Sequence, residues 1–250
     1  MLTYLGMKRV VIVQARMTST RLPGKVLADL AGRPMLAQQL ARLRQSRETD
    51  DFVIATTVNA TDDPLVDLAR RGGVRWFRGD EPDVLSRIAG AAREAKADVV
   101  VRVTADCPLI DAGELDRVIR ELQEHANEAD YAANVIERTY PRGLDTEAFF
   151  RDTLERLDRL ARSREAREHV TWFINHERPE LFIRRSVRDT ENNSDLRWTI
   201  DAAEDLEVVR KIFESLDLGN TLRPYRDVLA YVRAHPELSA GNAHIAQRER

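Results

Sequence analysis

At 250 residues with 43% hydrophobic side chains, the chain has enough apolar material for one large domain, or for one domain carrying a substantial insertion. Its net charge of −3 gives no broad electrostatic reason to bind nucleic acid or an anionic membrane, and no apolar run approaches the length of a membrane span. A single cysteine, Cys107, excludes an internal disulfide and suits a reducing cytoplasm, and it shows no zinc-ligand spacing with the five histidines.

Residues 1–7, which run up to a second methionine at Met7, read as a mis-assigned start or an unstructured tail, without a signal-peptide core. An apolar β-branched run at 10–13 has the pattern of a strand buried on both faces of a parallel sheet. It leads into a polar loop: Gln14, Ala15 and Arg16, then Thr18 to Arg21, closed by Pro23, Gly24 and Lys25. Hydroxyls, a glycine and the cations Arg16, Arg21 and Lys25, placed directly after the first core strand, predict an anion site. Backbone amides of such a loop cradle phosphate, arginine pairs with it in bidentate fashion, and lysine adds a point charge. The alternative is a basic turn in solvent. No Walker pattern is present.

Pro34 stands where a first helical turn wants it, and Met35, Leu36, Leu40 and Leu43 recur at helical spacing. A second strand spans 51–57. Asp62, Asp63 and Pro64 open a helix that Gly72 and Gly73 stop. A short strand at 74–77, a helix at 83–95, a buried strand at 97–104 and an amphipathic helix at 111–124 follow. This alternation predicts an α/β fold, a mostly parallel Rossmann-like sheet with helices on both faces. Ligands bind such sheets at the carboxyl ends of the strands, and the polar clusters of this chain fall there. The second half is less regular. Strands are expected at 131–135, 147–150, 182–187 and 196–200, a largely helical stretch at 154–175, and helices at 204–216 and 223–234 before a polar tail. The break predicts one domain over 8–250 with an inserted α+β region at 127–195 that completes the substrate pocket and forms a two-fold dimer interface. Trp172, Phe173, Phe182 and Ile183 lack an obvious place in the main core.

Two strand ends carry a carboxylate. The strand at 97–104 delivers Thr104 and Asp106 before Pro108 turns the chain away, and the segment 196–200 delivers Asp201. Magnesium prefers oxygen ligands and keeps several waters, so one or two carboxylates plus phosphate oxygens suffice for it. For Asp106 the alternative is a strand-end cap of the following turn, and Asp201 taken alone is an ordinary helix N-cap. Cys107 beside them reads as packing.

These blocks resemble the signatures of the cytidylyltransferases that activate sugar acids, among them the 3-deoxy-manno-octulosonate and acylneuraminate enzymes. Gln14-Ala15-Arg16 and Thr20-Arg21-Leu22-Pro23-Gly24-Lys25 carry the resemblance most closely to the spore-coat polysaccharide biosynthesis protein F branch. Segments 78–85, 103–110, 140–147, 167–171 and 196–201 follow in compatible order, so that the likeness covers about residues 8–216. It implies a nucleotide-diphospho-sugar transferase type of sheet, a homodimer, and a loop that wraps the triphosphate of CTP. Carried over residue by residue, Gln14, Ala15, Arg16, Arg21, Lys25, Gly79, Asp80, Asp83 and Thr104 surround the nucleotide. Arg16, Arg21 and Lys25 neutralise the leaving pyrophosphate, while Asp106 and Asp201 hold Mg2+. Asp80 or Asp83 is otherwise the cap of the next helix. Arg142 and Arg167 suit an acceptor carboxylate, and His169 either bonds an acceptor hydroxyl or is a satisfied helix histidine.

The implied activity is transfer of CMP from CTP to a sugar acid with release of pyrophosphate, for surface polysaccharide synthesis in the cytoplasm. No general base is evident. One rival is a glycosyltransferase using a nucleotide sugar on the same sheet. Such enzymes favour Asp-x-Asp at a strand end, where this chain has Ala105-Asp106-Cys107. A catalytically silent nucleotide-binding subunit is the other, and intact Lys25, Asp106 and Asp201 argue against it.

Overall fold

The structure is a computed structural model that describes residues 6–245. The expectation for residues 1–7 lies outside that range except at Gly6 and Met7, and Met7 packs against the main core. The last five residues of the polar tail lie outside it as well.

The chain opens with strand β1 (Arg9–Gln14), then a short hairpin of β2 (Asp29–Leu30) and β3 (Arg33–Pro34), which leads into helix α1 (Met35–Leu43). Next come β4 (Asp51–Thr57), α2 (Asp63–Arg71), β5 (Arg75–Gly79), α3 (Val84–Ala95), β6 (Val99–Thr104) and α4 (Ala112–Glu124). The second half supplies β7 (Tyr131–Ala133), β8 (Glu147–Phe150), α5 (Arg151–Leu160), α6 (Arg164–Glu168) and β9 (Arg184–Ser186). It closes with α7 (Ala203–Ser215), α8 (Tyr225–Ala234) and α9 (Pro236–Ala240). Seven strands form one sheet in the order β5-β4-β1-β6-β8-β7-β9. The first four are parallel, β8 runs antiparallel to β6 and β7, and β9 is parallel to β7. The α/β class read from the alternation is the fold observed.

Strand β1 shows why its sequence is apolar without interruption. Successive side chains of a strand face opposite sides of the sheet, and here both sides are covered. Val11 and Val13 enter one core with residues of α1, α2, α4, α7 and α8, whereas Val10 and Ile12 enter a second core with residues of α3 and α5. Each such side chain stabilises the fold by roughly 1.5–3 kcal/mol when buried. Among the described residues no helix is long and apolar enough to cross a membrane.

One local expectation is corrected, and two gain detail. Residues 196–200 do not form a strand of the sheet; they are extended and joined to the fold by one parallel bridge, Arg142 with Arg197. Their amides are claimed elsewhere, since Trp198 N donates to Arg142 O at 2.6 Å and Ile200 N to Asp106 O at 2.8 Å. The stretch 154–175 is largely helical, as expected, but divided into pieces. Ser163 accepts from Ala166 N and starts α6 anew, after which Val170 adopts φ 50° and a π-turn covers Phe173–Glu177. Finally, the region 127–195 adds β7, β8 and β9 to the main sheet. Phe173 and Phe182 are buried in the second core and Trp172 packs against it, so of the four apolar residues only Ile183 is exposed, at 57%.

Candidate active site

The chain passes from β1 to β4 and β5 on one side, then returns to β6 on the other. That reversal makes the carboxyl ends of β1 and β6 the crevice where open α/β sheets take ligands. A cleft of about 860 Å³ opens there, lined by the loop after β1, the end of β6 and the segment 199–201 on one side and by parts of 135–176 on the other.

The loop after β1 is held in shape by its own backbone. Met17 O accepts from Ser19 N at 2.9 Å and from Gly24 N at 3.0 Å. Gly24 sits at φ 72°, a left-handed conformation that a side chain would strain. Asp62, read from sequence as part of a helix start, is the anchor. Its Oδ1 accepts from Met17 N at 2.8 Å, and its Oδ2 from the hydroxyls of Thr56 and Thr57. Burial opposes the charge on Asp62, yet the bonds from Thr57, Met17 and Thr56 together outweigh it and hold this carboxyl below the usual range. Arg16 reaches Glu81 Oε1 at 3.4 Å, and Thr18 donates to the same oxygen.

Lys25 begins a single 3-10 turn (Lys25–Leu27) and points back under the loop. Its Nζ donates to Asp106 Oδ2 at 3.0 Å, to Asp201 Oδ1 at 2.9 Å and to Ile200 O at 2.6 Å. Those contacts bring the two carboxylates within about 6 Å of each other across 95 positions of sequence, as the two-aspartate expectation required. Burial is the largest influence on Lys25 and acts against its charge, but the two carboxylates together overcome it and raise its pKa. Asp201 Oδ2 also meets Arg21 at 3.0 Å and Arg197 at 3.3 Å. Arg197 is fixed in turn by Asp205, whose Oδ1 also accepts from Asn242. Thr104 Oγ1 donates to Asp106 Oδ1 at 2.6 Å. Asp106 and Asp201 form a hard-oxygen pair that fits a magnesium ion holding most of its shell as phosphate and water. Among the described residues no group of three or more His, Cys, Asp or Glu gathers to hold a metal alone.

The opposite half of the cleft mixes charges, with Arg138 and Arg142 beside Asp145, Glu147 and Glu168. Arg142 lies on it, half-buried, and its guanidinium makes no hydrogen bond or ion pair to any described residue. Burial first, and then the charges of Arg138 and Arg197, hold it below the ordinary arginine value, with Asp145 opposing. Gly143 next to it has no room for a side chain, since a Cβ would stand 2.7 Å from Thr199 N. Arg138 pairs with both oxygens of Asp145, at 2.6 and 2.9 Å. Beneath them Arg102 joins Gln14 Oε1 at 2.8 Å to Glu147, which also accepts from Tyr131 and Thr171. His169, Trp172 and His176 complete this wall, with the Trp172 and His176 rings 4.1 Å apart.

Gln14, Ala15, Arg16, Arg21, Lys25, Thr104, Asp106, Arg142, His169 and Asp201 thus share the cleft. Gly79, Asp80, Asp83 and Arg167 do not line it. The room above Gly79 is taken by Arg87, whose Cγ would lie 3.0 Å from an added Cβ. Asp80 is exposed and its carbonyl accepts from Arg87. Asp83 caps α3 by accepting from Ser86 N, and its two oxygens pair with Arg167 at 2.9 and 2.6 Å. Arg167 also meets Asp158 at 2.9 Å, so its guanidinium is engaged between α3 and α5 and does not face the cleft. Arg167→Ala should therefore lower stability by about 1–2 kcal/mol, or roughly 2–8 °C in Tm, with little change in substrate KM. A calorimetric scan beside steady-state kinetics checks this.

The sequence reading missed Asp62, Arg102, Glu147 and the Arg197–Asp205 pair. Arg102 had a visible signal, a charge inside an otherwise apolar strand, whereas Asp205 looked like any acidic residue in a first helical turn.

Residues 10–228 match the family described as cytidylyltransferase. Spore coat polysaccharide biosynthesis protein SpsF of Bacillus subtilis (strain 168) is 35% identical over 211 residues, 81% of this chain and 85% of that protein. The 3-deoxy-manno-octulosonate cytidylyltransferase of Geobacter sulfurreducens is 35% identical over 116 residues, 46% of this chain and 45% of that enzyme. The solved structure of a cytidylyltransferase from Leptospira borgpetersenii superposes with a TM-score of 0.88 at 31% identity, covering 97% of this chain and 100% of that one. A family match over residues 10–228, with a relative 35% identical over 81% of this chain, shows that this chain belongs to the cytidylyltransferase family and is a nucleotidyltransferase.

Proposed function

We propose that the protein transfers the cytidylyl group of CTP to an acidic sugar and releases pyrophosphate. The observation that carries this reading is one cleft with two unlike halves. One half gathers Lys25, Arg21, Asp106 and Asp201; the other presents an arginine, Arg142, whose guanidinium has no hydrogen-bond or ion-pair partner among the described residues. The first suits a metal-bound triphosphate and the second an acceptor carboxylate. In the Geobacter sulfurreducens relative, the named acceptor is 3-deoxy-manno-octulosonate, which is itself a sugar acid.

Arg16, Arg21 and Lys25 neutralise the β- and γ-phosphates, and Arg142 orients the acceptor so that its hydroxyl oxygen faces the α-phosphorus. The new phosphorus–oxygen bond forms in line as the bond to pyrophosphate breaks, and the hydroxyl proton leaves to solvent. Magnesium held by Asp106 and Asp201 would supply Lewis-acid stabilisation of the phosphate charge. Thr104 and the Arg197–Asp205 pair keep those carboxylates aimed into the cleft. In this reading the reaction is cytoplasmic and its product feeds polysaccharide assembly.

The test is pyrophosphate release with each of the four nucleoside triphosphates, with and without magnesium, against a panel of sugar acids. Turnover is expected with CTP, magnesium and a sugar acid together. Release of a nucleoside diphosphate from a nucleotide sugar would overturn the reading.

The same reading includes a homodimer. Strand β9 is a sheet edge with unpaired backbone groups, and Leu181 and Ile183 beside it are 41% and 57% exposed. Light scattering at micromolar concentration should give twice the chain mass, and Ile183→Arg should shift it to the monomer. A monomeric wild-type protein would remove this part of the proposal.

A further inference from the structure

Lys25 carries two duties that its geometry makes exclusive. An ammonium has three N–H donors, and Asp106 Oδ2, Asp201 Oδ1 and Ile200 O at 3.0, 2.9 and 2.6 Å use all three. While those bonds stand, none is left for a phosphate. The ammonium also lies between the two carboxylates, where an ion bonded to both at about 2.0–2.1 Å would have to sit. A divalent ion and Nζ cannot share that space, because both are cations.

We propose that Lys25 is an internal counter-cation that competes with the divalent metal for Asp106 and Asp201, so that the metal enters with the nucleotide and Lys25 passes from the carboxylates to the triphosphate. This rests on the reading that the two aspartates are the metal ligands. Arg21 strengthens it: on the same loop as Lys25, it too turns inward, onto Asp201 at 3.0 Å. Both loop cations face carboxylates, and both are placed by sequence where phosphate is expected. Arrival of a metal–triphosphate pair brings a cation for the aspartates and an anion for the loop, and each charge exchanges one partner for another. A metal ion arriving alone must displace Lys25, only 9% exposed, with no anion to receive it. Lys25 is in this sense a positioning residue that couples metal loading to nucleotide binding. The ammonium keeps its proton throughout, and no covalent bond changes.

The test uses Mn2+ alone as probe, with free ion followed by electron paramagnetic resonance on the full chain without nucleotide. Lys25→Met, of similar length and no charge, should bind Mn2+ at least tenfold more tightly than the wild type. Lys25→Arg, which keeps the charge, should show no such gain. Thermal melts give a second readout, because Mn2+ should raise the Tm of Lys25→Met more than that of the wild type. An affinity of Lys25→Met equal to or weaker than wild type overturns the exchange. Asp106→Asn separates the two claims when CTP is added. Unchanged Mn2+ binding there removes the metal assignment itself, whereas lost binding with no gain in Lys25→Met removes only the exchange.

Discussion

Asp106→Asn is expected to cut kcat for CTP-dependent pyrophosphate release by about 10²–10³-fold, the range found when one group that stabilises transition-state charge is removed. That is about 2.7–4 kcal/mol at the transition state. Asparagine keeps the volume of the side chain, and the backbone bond from Ile200 N to residue 106 O is untouched, so the end of β6 and the segment 196–200 stay together. What disappears is one of two negative charges that face Lys25 Nζ and line the cleft. Asp106 is a cleaner target than Asp201, which also carries ion pairs to Arg21 and Arg197 and whose loss would loosen the loop and α7 together. Single-turnover kinetics with saturating CTP checks the prediction, and near-wild-type turnover would show that Asp106 only caps the turn before Pro108.

The second large effect is expected at Arg142. Removing one partner of a desolvated carboxylate pair costs about 2–5 kcal/mol, and a half-buried arginine belongs at the lower end. Arg142→Ala should therefore raise KM for whichever sugar acid supports turnover by about 30-fold, with KM for CTP within about threefold of wild type. Stability should hold, because the guanidinium bonds no described residue and is crowded by the cations of Arg138 and Arg197. Arg142→Lys should recover part of the loss, a charge without the bidentate fork. A parallel rise in both KM values, or a fall in Tm with normal acceptor kinetics, would assign Arg142 to structure. The contrast with Arg167 is direct. Both arginines read alike in sequence, but Arg167 is tied to Asp83 and Asp158 while Arg142 is left facing the cleft.

The sequence by itself determined the parallel sheet and one half of the site. Apolar β-branched runs at 10–13 and 99–103 can be buried only between two helical layers, and the polar residues that follow must then emerge at the carboxyl ends of adjacent strands. Gln14, Thr104 and Asp106 were legible for that reason, since each lies within two residues of a strand end, and Lys25 because it closes the polar loop after β1. Chain-local patterns carry no information about which distant charges meet. Only the tertiary structure decided that Asp83 belongs to Arg167, that Asp62 anchors the loop after β1, and that Arg197 and Asp205 fix Asp201. The same limit hid the character of 196–200. Its apolar residues look like a sheet strand, but its amides are spent on Arg142 O and Asp106 O, and this draws Asp201 over the end of β6. Whether a charged side chain is free for a ligand depends on every neighbour that folding brings to it, and those neighbours come from all parts of the chain.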